Sequence, residues 1–252
     1  MSGLFHQKVA LITGAASGIG RAIAFAAARE GASLVLGDVQ EQALGELAEE
    51  LGGSTTVHCQ RADVTCSRDI AGLMKMAEQR LDVPDLVFAN AGIEGPSGAS
   101  WECSEADFLH VIDVNLVGIW RTAAAVLPKM LQRGSGAIVA TASVAGIVGA
   151  GGLAAYVASK HGVVGLVRSM AIDSAAANVR INAICPGMIE TPMVDRLAQV
   201  TPGFREALLA QKPMGRLGLP IEAAEAAVWL ASDKASFVTG HTLVVDGGYA
   251  AH

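Results

Sequence analysis

Short apolar runs alternate with amphipathic helical segments along the whole chain, and this alternation limits the possible folds more than any other feature. The run Val9-Ala10-Leu11-Ile12 is typical of a strand that is buried on both faces. The segment 21–29 has a helical pattern and ends before Gly31, and the same order continues to a closing apolar run at 242–245. Strict alternation of strand and helix predicts the α/β class, with one parallel sheet between two layers of helices.

The same patterns place the remaining elements and indicate no boundary between domains. Pro128 interrupts the longest helical segment, so we expect a break or a bend there. No linker, repeat or shift in composition divides the chain, which predicts a single domain over residues 1–252. Further strands are expected at 33–38, 56–60, 86–89, 137–143 and 180–184, and further helices at 41–51, 68–80, 105–132, around Tyr156 and at 221–230.

Composition and charge exclude several classes of function. Hydrophobic residues make up 52% of the chain and charged residues 17%, which favours a folded protein with a large core. The net charge of −6 comes without a basic stripe or an arginine-rich segment, so nucleic acid is not an expected partner. The start of the chain does not resemble a signal peptide and the four cysteines lack metal-binding spacing. These features predict a cytoplasmic protein with free thiols and no metal.

One uncharged stretch, 134–159, is long enough to cross a bilayer. Its many glycines and alanines, and its polar residues Thr141 and Ser143, instead indicate a buried strand, a loop of small residues and a buried helix. No membrane partner is therefore expected.

A glycine-rich turn separates the first strand from the first helix. Its spacing is G-x3-G-x-G, in the run Gly14-Ala15-Ala16-Ser17-Gly18-Ile19-Gly20. Glycines at such a turn allow the backbone to approach a pyrophosphate, which the free N–H groups of the helix N-terminus then bind. This predicts a Rossmann-like, doubly wound sheet in which Gly14, Ser17, Gly18, Ile19 and Gly20 bind a dinucleotide. A glycine turn that serves only packing is the alternative.

Asp38 ends the second strand, where an acidic side chain meets the adenosine ribose in dinucleotide-binding folds. A carboxylate at this position repels a 2′-phosphate, and neither Ala15-Ala16-Ser17 nor Val39 offers a cation to bind one. The sequence therefore predicts NAD rather than NADP as the cofactor. The alternative is that Asp38 only caps the following helix.

Three residues around the fifth strand can together move a proton on or off an alcohol oxygen. Tyr156 and Lys160 are four residues apart and share one helix face, where the ammonium group favours the phenolate. Ser143 follows a buried apolar run and can orient both the phenol and a substrate oxygen. The alternative is an exposed helix face with no function, and the other motifs of the chain argue against it.

With these motifs in this order, the chain resembles the short-chain dehydrogenase/reductase family over essentially its whole length. Asp63-Val64 matches the family's adenine contact. Asn90-Ala91-Gly92 matches the end of the family's fourth strand, except that Ala89 replaces the first asparagine of that motif. The cofactor residues that this resemblance adds or assigns are Val39, Asp63, Val64, Asn90, Ala91, Gly92, Tyr156, Lys160, Pro186, Gly187, Ile189 and Thr191.

The resemblance also implies a role for each catalytic residue. Tyr156 is the general acid or base, and Lys160 lowers its pKa and holds the nicotinamide ribose. Ser143 holds the substrate oxygen. Asn115, the fourth residue, anchors a water molecule that links Lys160 to solvent.

The substrate pocket is expected to be apolar, with a closing lid at about 189–214. Within the family the chain looks most like bacterial NAD-dependent cyclic-alcohol and diol dehydrogenases, which implies oxidation of a hydrophobic, cyclic or aryl, secondary alcohol to a ketone. The alternatives are a 3-oxoacyl-[acyl-carrier-protein] reductase and a non-catalytic dinucleotide-binding regulator. The resemblance also implies a homotetramer. The expected pocket residues are Ile93, Glu94, Val144, Ile147, Val148, Leu153, Met188, Met193 and Met214.

Overall fold

In residues 3–200 and 213–251, which this computed structural model describes, seven strands form one sheet. They are β1 (Val9–Thr13), β2 (Ser33–Asp38), β3 (Val57–Arg61), β4 (Leu86–Ala89), β5 (Gly136–Thr141), β6 (Val179–Pro186) and β7 (Thr242–Val245). Their order across the sheet is β3-β2-β1-β4-β5-β6-β7, and every pairing between neighbours is parallel. Successive strands must then be joined by crossovers, which the helical segments supply.

Helices cover both faces of this sheet. They are α1 (Gly18–Arg29), α2 (Glu41–Leu51), α3 (Ser67–Arg80), α4 (Glu105–Ile112), α5 (Gly118–Arg133), α6 (Ala154–Ala175), α7 (Pro192–Val200) and α8 (Pro220–Ala231). The predicted α/β class, with its doubly wound parallel sheet, is confirmed.

Each strand sends alternate side chains into two separate cores. Leu34 and Leu36 of β2 contribute to the core beneath α1, α2 and α8, whereas Val35 between them belongs to the core beneath α3, α5 and α6. None of the three is exposed to solvent. Because both faces of the sheet are covered, central strands such as β1 and β4 are buried along their whole length and do not alternate between polar and apolar residues.

The helical run between β4 and β5 departs from α geometry at Asp113–Val117, which form a π-helix. Of the break or bend expected near Pro128, the break is wrong, because α5 continues through this residue. Val126 and Met130 flank the proline and are fully buried, and we attribute the continuity of the helix to this packing despite the missing N–H. The π-helix carries Asn115, which is also fully buried. Such wide turns occur frequently at functional sites.

The helical run from Glu105 to Arg133 is also long and apolar enough to cross a membrane. A core helix of a soluble protein meets the same criteria, and α5 contacts β4, β5 and α3 in this fold. One such helix is therefore weak evidence for a span. The uncharged stretch 134–159 forms β5, a short turn and the start of α6.

Candidate active site

A cavity of about 530 Å³ opens at the carboxyl ends of the strands. The connections from β1 and its neighbour β4 leave on opposite sides of the sheet, and open α/β sheets bind their ligands at such a crevice. The loops after β1, β2, β4, β5 and β6 all line the cavity. Residues that are far apart in the sequence therefore meet in one place.

The glycine-rich turn lines one half of this cavity. Gly14 has a φ of +65°, and a Cβ at this position would lie 2.6 Å from the Cα of Ala91, so a side chain has no room here. The N-cap residue of α1, Ser17, makes no side-chain cap hydrogen bond, so this side chain leaves the first N–H groups of the helix available to an anion. Thr191 approaches from the other side, since a Cβ on Gly18 would lie 3.2 Å from its Cγ2.

Asp38 is held rigidly at the same end of the cavity and is only 6% exposed. Its Oδ2 accepts a hydrogen bond from the N–H of Ala16 at 2.9 Å, and its Oδ1 accepts one from the N–H of Gln40 at 3.0 Å. Gln40 is the N-cap residue of α2, so this second contact agrees with the alternative function of Asp38 in starting that helix. The first contact is with the glycine-rich turn. Each carboxylate oxygen keeps a lone pair with which it can accept a hydroxyl.

The structure places almost all of the predicted cofactor residues along this cavity. Gly20 is the exception, because it is buried beneath the turn, where a Cβ would clash with the carbonyl oxygen of Gly14. The predicted cofactor residues that line the cavity are Gly14, Ser17, Gly18, Ile19, Asp38, Val39, Asp63, Val64, Asn90, Ala91, Gly92, Tyr156, Lys160, Pro186, Gly187, Ile189 and Thr191.

Ser143 and Tyr156 meet in the other half of the cavity. β5 ends before Ser143, which is the N-cap of the 3₁₀ turn Val144–Gly146 and accepts a hydrogen bond from the N–H of Ala145 at 3.1 Å. Tyr156 lies in the first turn of α6, and its phenol is hydrogen-bonded to Ser143. Burial raises the pKa of Tyr156, and the hydrogen bond to Ser143 opposes this effect. The protein alone therefore keeps the phenol protonated at neutral pH.

Lys160 is 3% exposed, and its Nζ donates a hydrogen bond to the carbonyl oxygen of Thr141 at 2.8 Å. The Nζ lies 5.6 Å from the centroid of the Tyr156 ring. Among the described residues no carboxylate forms a salt bridge with this ammonium group, and burial lowers the pKa of Lys160 from 10.5 to about 8. Burying an unpaired cation costs folding free energy, so Lys160 destabilises the fold that holds it.

We expect Lys160→Met to raise the free energy of unfolding at neutral pH while it impairs catalysis. The unfolded chain binds a proton at Lys160 more tightly than the folded one, so the penalty is complete below about pH 8 and disappears as the pH rises to 10.5. The gain should be on the order of 1–3 kcal/mol and should shrink through this range. Denaturant titrations of both proteins without cofactor, at several pH values, measure it. A variant that is less stable at neutral pH would contradict the account.

Asn115 connects the loop after β4 to the helix that carries Tyr156 and Lys160. Its Oδ1 accepts a hydrogen bond from the N–H of Ile93 at 2.8 Å, and its Nδ2 donates to the Ile93 carbonyl at 2.8 Å and to the Oγ of Ser159 at 3.0 Å. Gly92 lies beside it, where a Cβ would come 3.2 Å from the Asn115 Oδ1 and 3.3 Å from the Lys160 Nζ. The missing side chain of Gly92 therefore leaves a space that both polar groups face.

A second hydrogen-bonded chain joins the glycine-rich turn to Lys160, and our interpretation of the sequence missed it. The Nδ2 of Asn90 donates to the carbonyl of Gly14 at 3.0 Å, and its Oδ1 accepts from the hydroxyl of Thr141 at 3.0 Å. The N–H of Asn90 donates to the hydroxyl of Thr13 at 3.2 Å. Both threonines end strands at the edge where ligands bind, and this position is the signal that could have identified them.

The remaining wall of the cavity is mostly apolar. Ile147 lies outside it, because this residue ends the 3₁₀ turn and is 36% exposed. Met214 also lies outside it, where its N–H donates to the carbonyl of Gly247 at 3.3 Å. The expected pocket residues that do line the cavity are Ile93, Glu94, Val144, Val148, Leu153, Met188 and Met193. The lining residues that were not expected in the pocket include His110, Val114 and Tyr249.

The expected lid is described only in part. α7 follows β6 and covers the cavity with Pro192, Met193, Val194 and Arg196. Residues 201–212 of the expected lid lie outside the described residues.

The fold and this site define a dinucleotide-dependent oxidoreductase, since a phosphate-binding turn at the crevice shares one cavity with a Ser/Tyr/Lys set. A family model described as "Enoyl-(Acyl carrier protein) reductase" matches residues 14–250. The chain belongs to the short-chain dehydrogenase/reductase family, as the sequence motifs predicted.

Three curated relatives match this chain over nearly its full length. The cis-4-hydroxycyclohexanecarboxylate dehydrogenase of Sinomonas cyclohexanicum is 42% identical and covers 100% of both chains. The cyclohexanol dehydrogenase of Acinetobacter sp. (strain SE19) is 40% identical, over 99% of this chain and 97% of the relative. The 3-oxoacyl-[acyl-carrier-protein] reductase of Thermotoga maritima is 39% identical, over 96% of this chain and 97% of the relative.

Solved structures show the same fold. The crystal structure of levodione reductase superposes with a TM-score of 0.94 at 38% sequence identity, and the match covers 98% of this chain and 99% of the other. At this identity and coverage, the neighbour supports both the fold and the family.

Proposed function

We propose that this protein is an NAD-dependent dehydrogenase that interconverts a hydrophobic, cyclic or aryl, secondary alcohol and its ketone. One observation carries the proposal: Ser143, Tyr156 and Lys160 line the same cavity as Asp38 and the glycine-rich turn. The proton-transfer groups and the nucleotide-binding groups are therefore arranged to act on one bound pair of molecules.

The residues along the cavity fit NAD. Gly14 would let the backbone approach the pyrophosphate closely, and the N-terminal N–H groups of α1 would bind it. Asp38 presents a fixed carboxylate that can accept the two ribose hydroxyls and that disfavours a 2′-phosphate. Asp63 and Val64 would hold the adenine end, and Thr191 the nicotinamide end. When bound, NAD⁺ supplies the hydride acceptor and a positive charge in the site.

Ser143, Tyr156 and Lys160 each have a different role in the proton transfer. Ser143 holds the substrate oxygen and also hydrogen-bonds to Tyr156, so the phenol and the hydroxyl group of the alcohol are brought together. As phenolate, Tyr156 takes the proton of this hydroxyl; in the reverse direction, as phenol, it protonates the carbonyl oxygen. Lys160 lies beside the ring with a pKa of about 8, close enough to working pH to pass the proton onward. The space at Gly92, between Lys160 and Asn115, is the proposed position of the water that carries it to solvent.

We expect Gly92→Ala to lower kcat roughly tenfold, since the added methyl group fills the space between Asn115 and Lys160. Gly165→Ala is the matched control, because Gly165 lies on the helix of Lys160 and a Cβ there meets nothing within 4 Å. Steady-state rates and the dissociation constant of NADH should be measured for both variants. If both variants had the same kcat, no proton path through this space would be needed.

The apolar wall formed by Ile93, Val144, Val148, Leu153 and Met188 supports a hydrophobic substrate. The names of two relatives, a cyclohexanol dehydrogenase and a hydroxycyclohexanecarboxylate dehydrogenase, support a cyclic one. A panel of secondary alcohols tested with NAD⁺ checks this part of the proposal. Turnover limited to the open-chain alcohols of this panel would contradict it.

A 3-oxoacyl-[acyl-carrier-protein] reductase is the second candidate function. Its support is the Thermotoga maritima relative at 39% identity and the description of the family model. The carboxylate of Asp38 argues against it if the reaction needs NADPH, as the family resemblance implies. Reduction of a 3-oxoacyl thioester with NADPH, compared with oxidation of cyclohexanol with NAD⁺, separates the two. A non-catalytic regulator remains the third alternative and predicts no turnover in either assay.

We also propose that the protein is a cytoplasmic homotetramer. Trp120 on α5 is 51% exposed and Ile172 on α6 is 79% exposed, and large apolar side chains at such positions are candidates for burial between subunits. Phe237, near the end of the chain, is fully exposed. All four cysteines are free thiols, which supports a reducing compartment. Light scattering should give about four times the chain mass of 25.8 kDa, and cell fractionation tests the compartment.

A further inference from the structure

An ion pair spans the substrate end of the cavity and joins two segments that are far apart in the sequence. Arg196 on α7 donates through Nε to the Oε1 of Glu94 at 3.0 Å and through Nη2 to its Oε2 at 3.1 Å. Glu94 lies on the loop after β4, and both residues line the cavity that contains Ser143 and Tyr156. The two parallel hydrogen bonds form the bidentate geometry that holds an arginine and a carboxylate in a fixed arrangement.

The two partners differ in burial. The Glu94 side chain is 16% exposed and that of Arg196 is 58% exposed, so the carboxylate is the more buried partner. The hydrogen bonds that Arg196 donates to Glu94 raise the pKa of Arg196, which keeps its charge at every working pH. The pair therefore presents no net charge to the cavity. Of the other charged or titratable groups in this half, His110 lies on α4 and Lys160 is buried against the carbonyl of Thr141.

We infer that the Glu94–Arg196 pair is a specificity-determining element that admits neutral carbinols and disfavours carbinols with a carboxylate distal to the reacting carbon. A carboxylate that leaves water needs an uncompensated cation, and the charge of Arg196 is already balanced by Glu94. A substrate carboxylate beside the Glu94–Arg196 pair would also be repelled by Glu94. The inference rests on the proposed function. It predicts that this enzyme prefers neutral cyclic alcohols to hydroxycyclohexanecarboxylates.

A purely structural role of the pair predicts a different behaviour. A partly exposed ion pair that connects α7 to the loop after β4 contributes little to the stability of the protein. Its loss would then change the rates for neutral and charged substrates by the same factor. A specificity role changes the ratio between the two substrates, which is the quantity to measure.

The test uses cis-4-hydroxycyclohexanecarboxylate and its carboxamide, which share the ring and the carbinol but differ in charge. In Glu94→Gln no carboxylate of the pair balances the charge of Arg196. The ratio of kcat/KM for the carboxylate over the amide should therefore rise about tenfold or more. In Arg196→Gln the Glu94 carboxylate is left alone and the ratio should fall. The double variant should return towards the wild-type ratio. Glu102→Gln, an exposed glutamate outside the cavity, is the matched control and should leave the ratio unchanged.

Binding of the same two compounds to the NADH complex, measured by calorimetry, gives the selectivity without turnover. Equal carboxylate-to-amide ratios, within about twofold, in the wild type, both single variants and the double variant would overturn the inference. Absence of turnover in the wild type with every secondary alcohol would overturn the proposed function instead. The binding ratios would still decide the role of the ion pair.

Discussion

Replacement of Tyr156 by phenylalanine should lower kcat by about 10³-fold, the largest loss that any single substitution in this site should cause. The change removes one oxygen atom and keeps the ring that packs in the first turn of α6. That oxygen is the group that Ser143 hydrogen-bonds and that would exchange a proton with the substrate. Rates of NADH formation with cyclohexanol measure the loss, and NADH binding, followed by fluorescence, should change little.

Tyr249→Phe is the control for this experiment. It makes the same chemical change at the other tyrosine of the chain, which also lines the cavity. We expect its effect on kcat to be no more than a few-fold. If Tyr156→Phe retained wild-type turnover with every active substrate, Tyr156 could not be the general acid or base.

Asp38→Asn should produce the second large effect, on the choice of cofactor. The amide keeps the shape of the side chain but loses the negative charge. Its hydrogen bonds to the ribose hydroxyls should weaken, so kcat/KM with NAD⁺ should fall about 10- to 100-fold. The repulsion of a 2′-phosphate is lost at the same time, so the ratio of NADP⁺ to NAD⁺ activity should rise. Initial rates at a fixed alcohol concentration with each cofactor give both numbers.

Asp63→Asn is the matched control for the cofactor experiment. Asp63 lines the same end of the cavity, and its Oδ1 accepts from the N–H and the hydroxyl of Thr65 at 2.8 and 2.7 Å. Loss of the Asp63 charge should weaken the binding of both cofactors without changing the ratio of NADP⁺ to NAD⁺ activity. A wild-type enzyme that prefers NADP⁺, or an Asp38→Asn variant with an unchanged ratio, would contradict the role assigned to Asp38.

The fold could be predicted well because its signals are local. Unbroken apolar runs such as β1 and β2 occur where both faces of a strand are buried, and each is followed by a helical pattern. The irregularity of the helical run between β4 and β5 could not be predicted in the same way. The local signal, Pro128, predicted a break, but the buried neighbours Val126 and Met130 outweigh it. The run instead changes to a π-helix at Asp113–Val117.

The candidate site shows the same division between local and long-range information. The glycine-rich turn, Asp38 and the Tyr156/Lys160 pair can each be recognised from a few consecutive residues. The Glu94–Arg196 pair joins residues 102 positions apart, and the contact between Asn90 and Thr141 spans 51 positions. No local pattern marks such contacts. Lys160 was expected to lower the pKa of Tyr156; in this structure burial raises that pKa, and the Lys160 ammonium group lies 5.6 Å from the centroid of the ring.

The most direct test of the central proposal is the rate of NADH formation from cyclohexanol and NAD⁺, compared with the rate of NADPH formation from NADP⁺ under the same conditions. The account predicts turnover with NAD⁺ that exceeds the NADP⁺ rate at least about tenfold, because Asp38 is held where we propose that the ribose binds. It also predicts that the activity disappears in Tyr156→Phe. Absence of turnover with every cyclic secondary alcohol, together with rapid NADPH-dependent reduction of a 3-oxoacyl thioester, would contradict it.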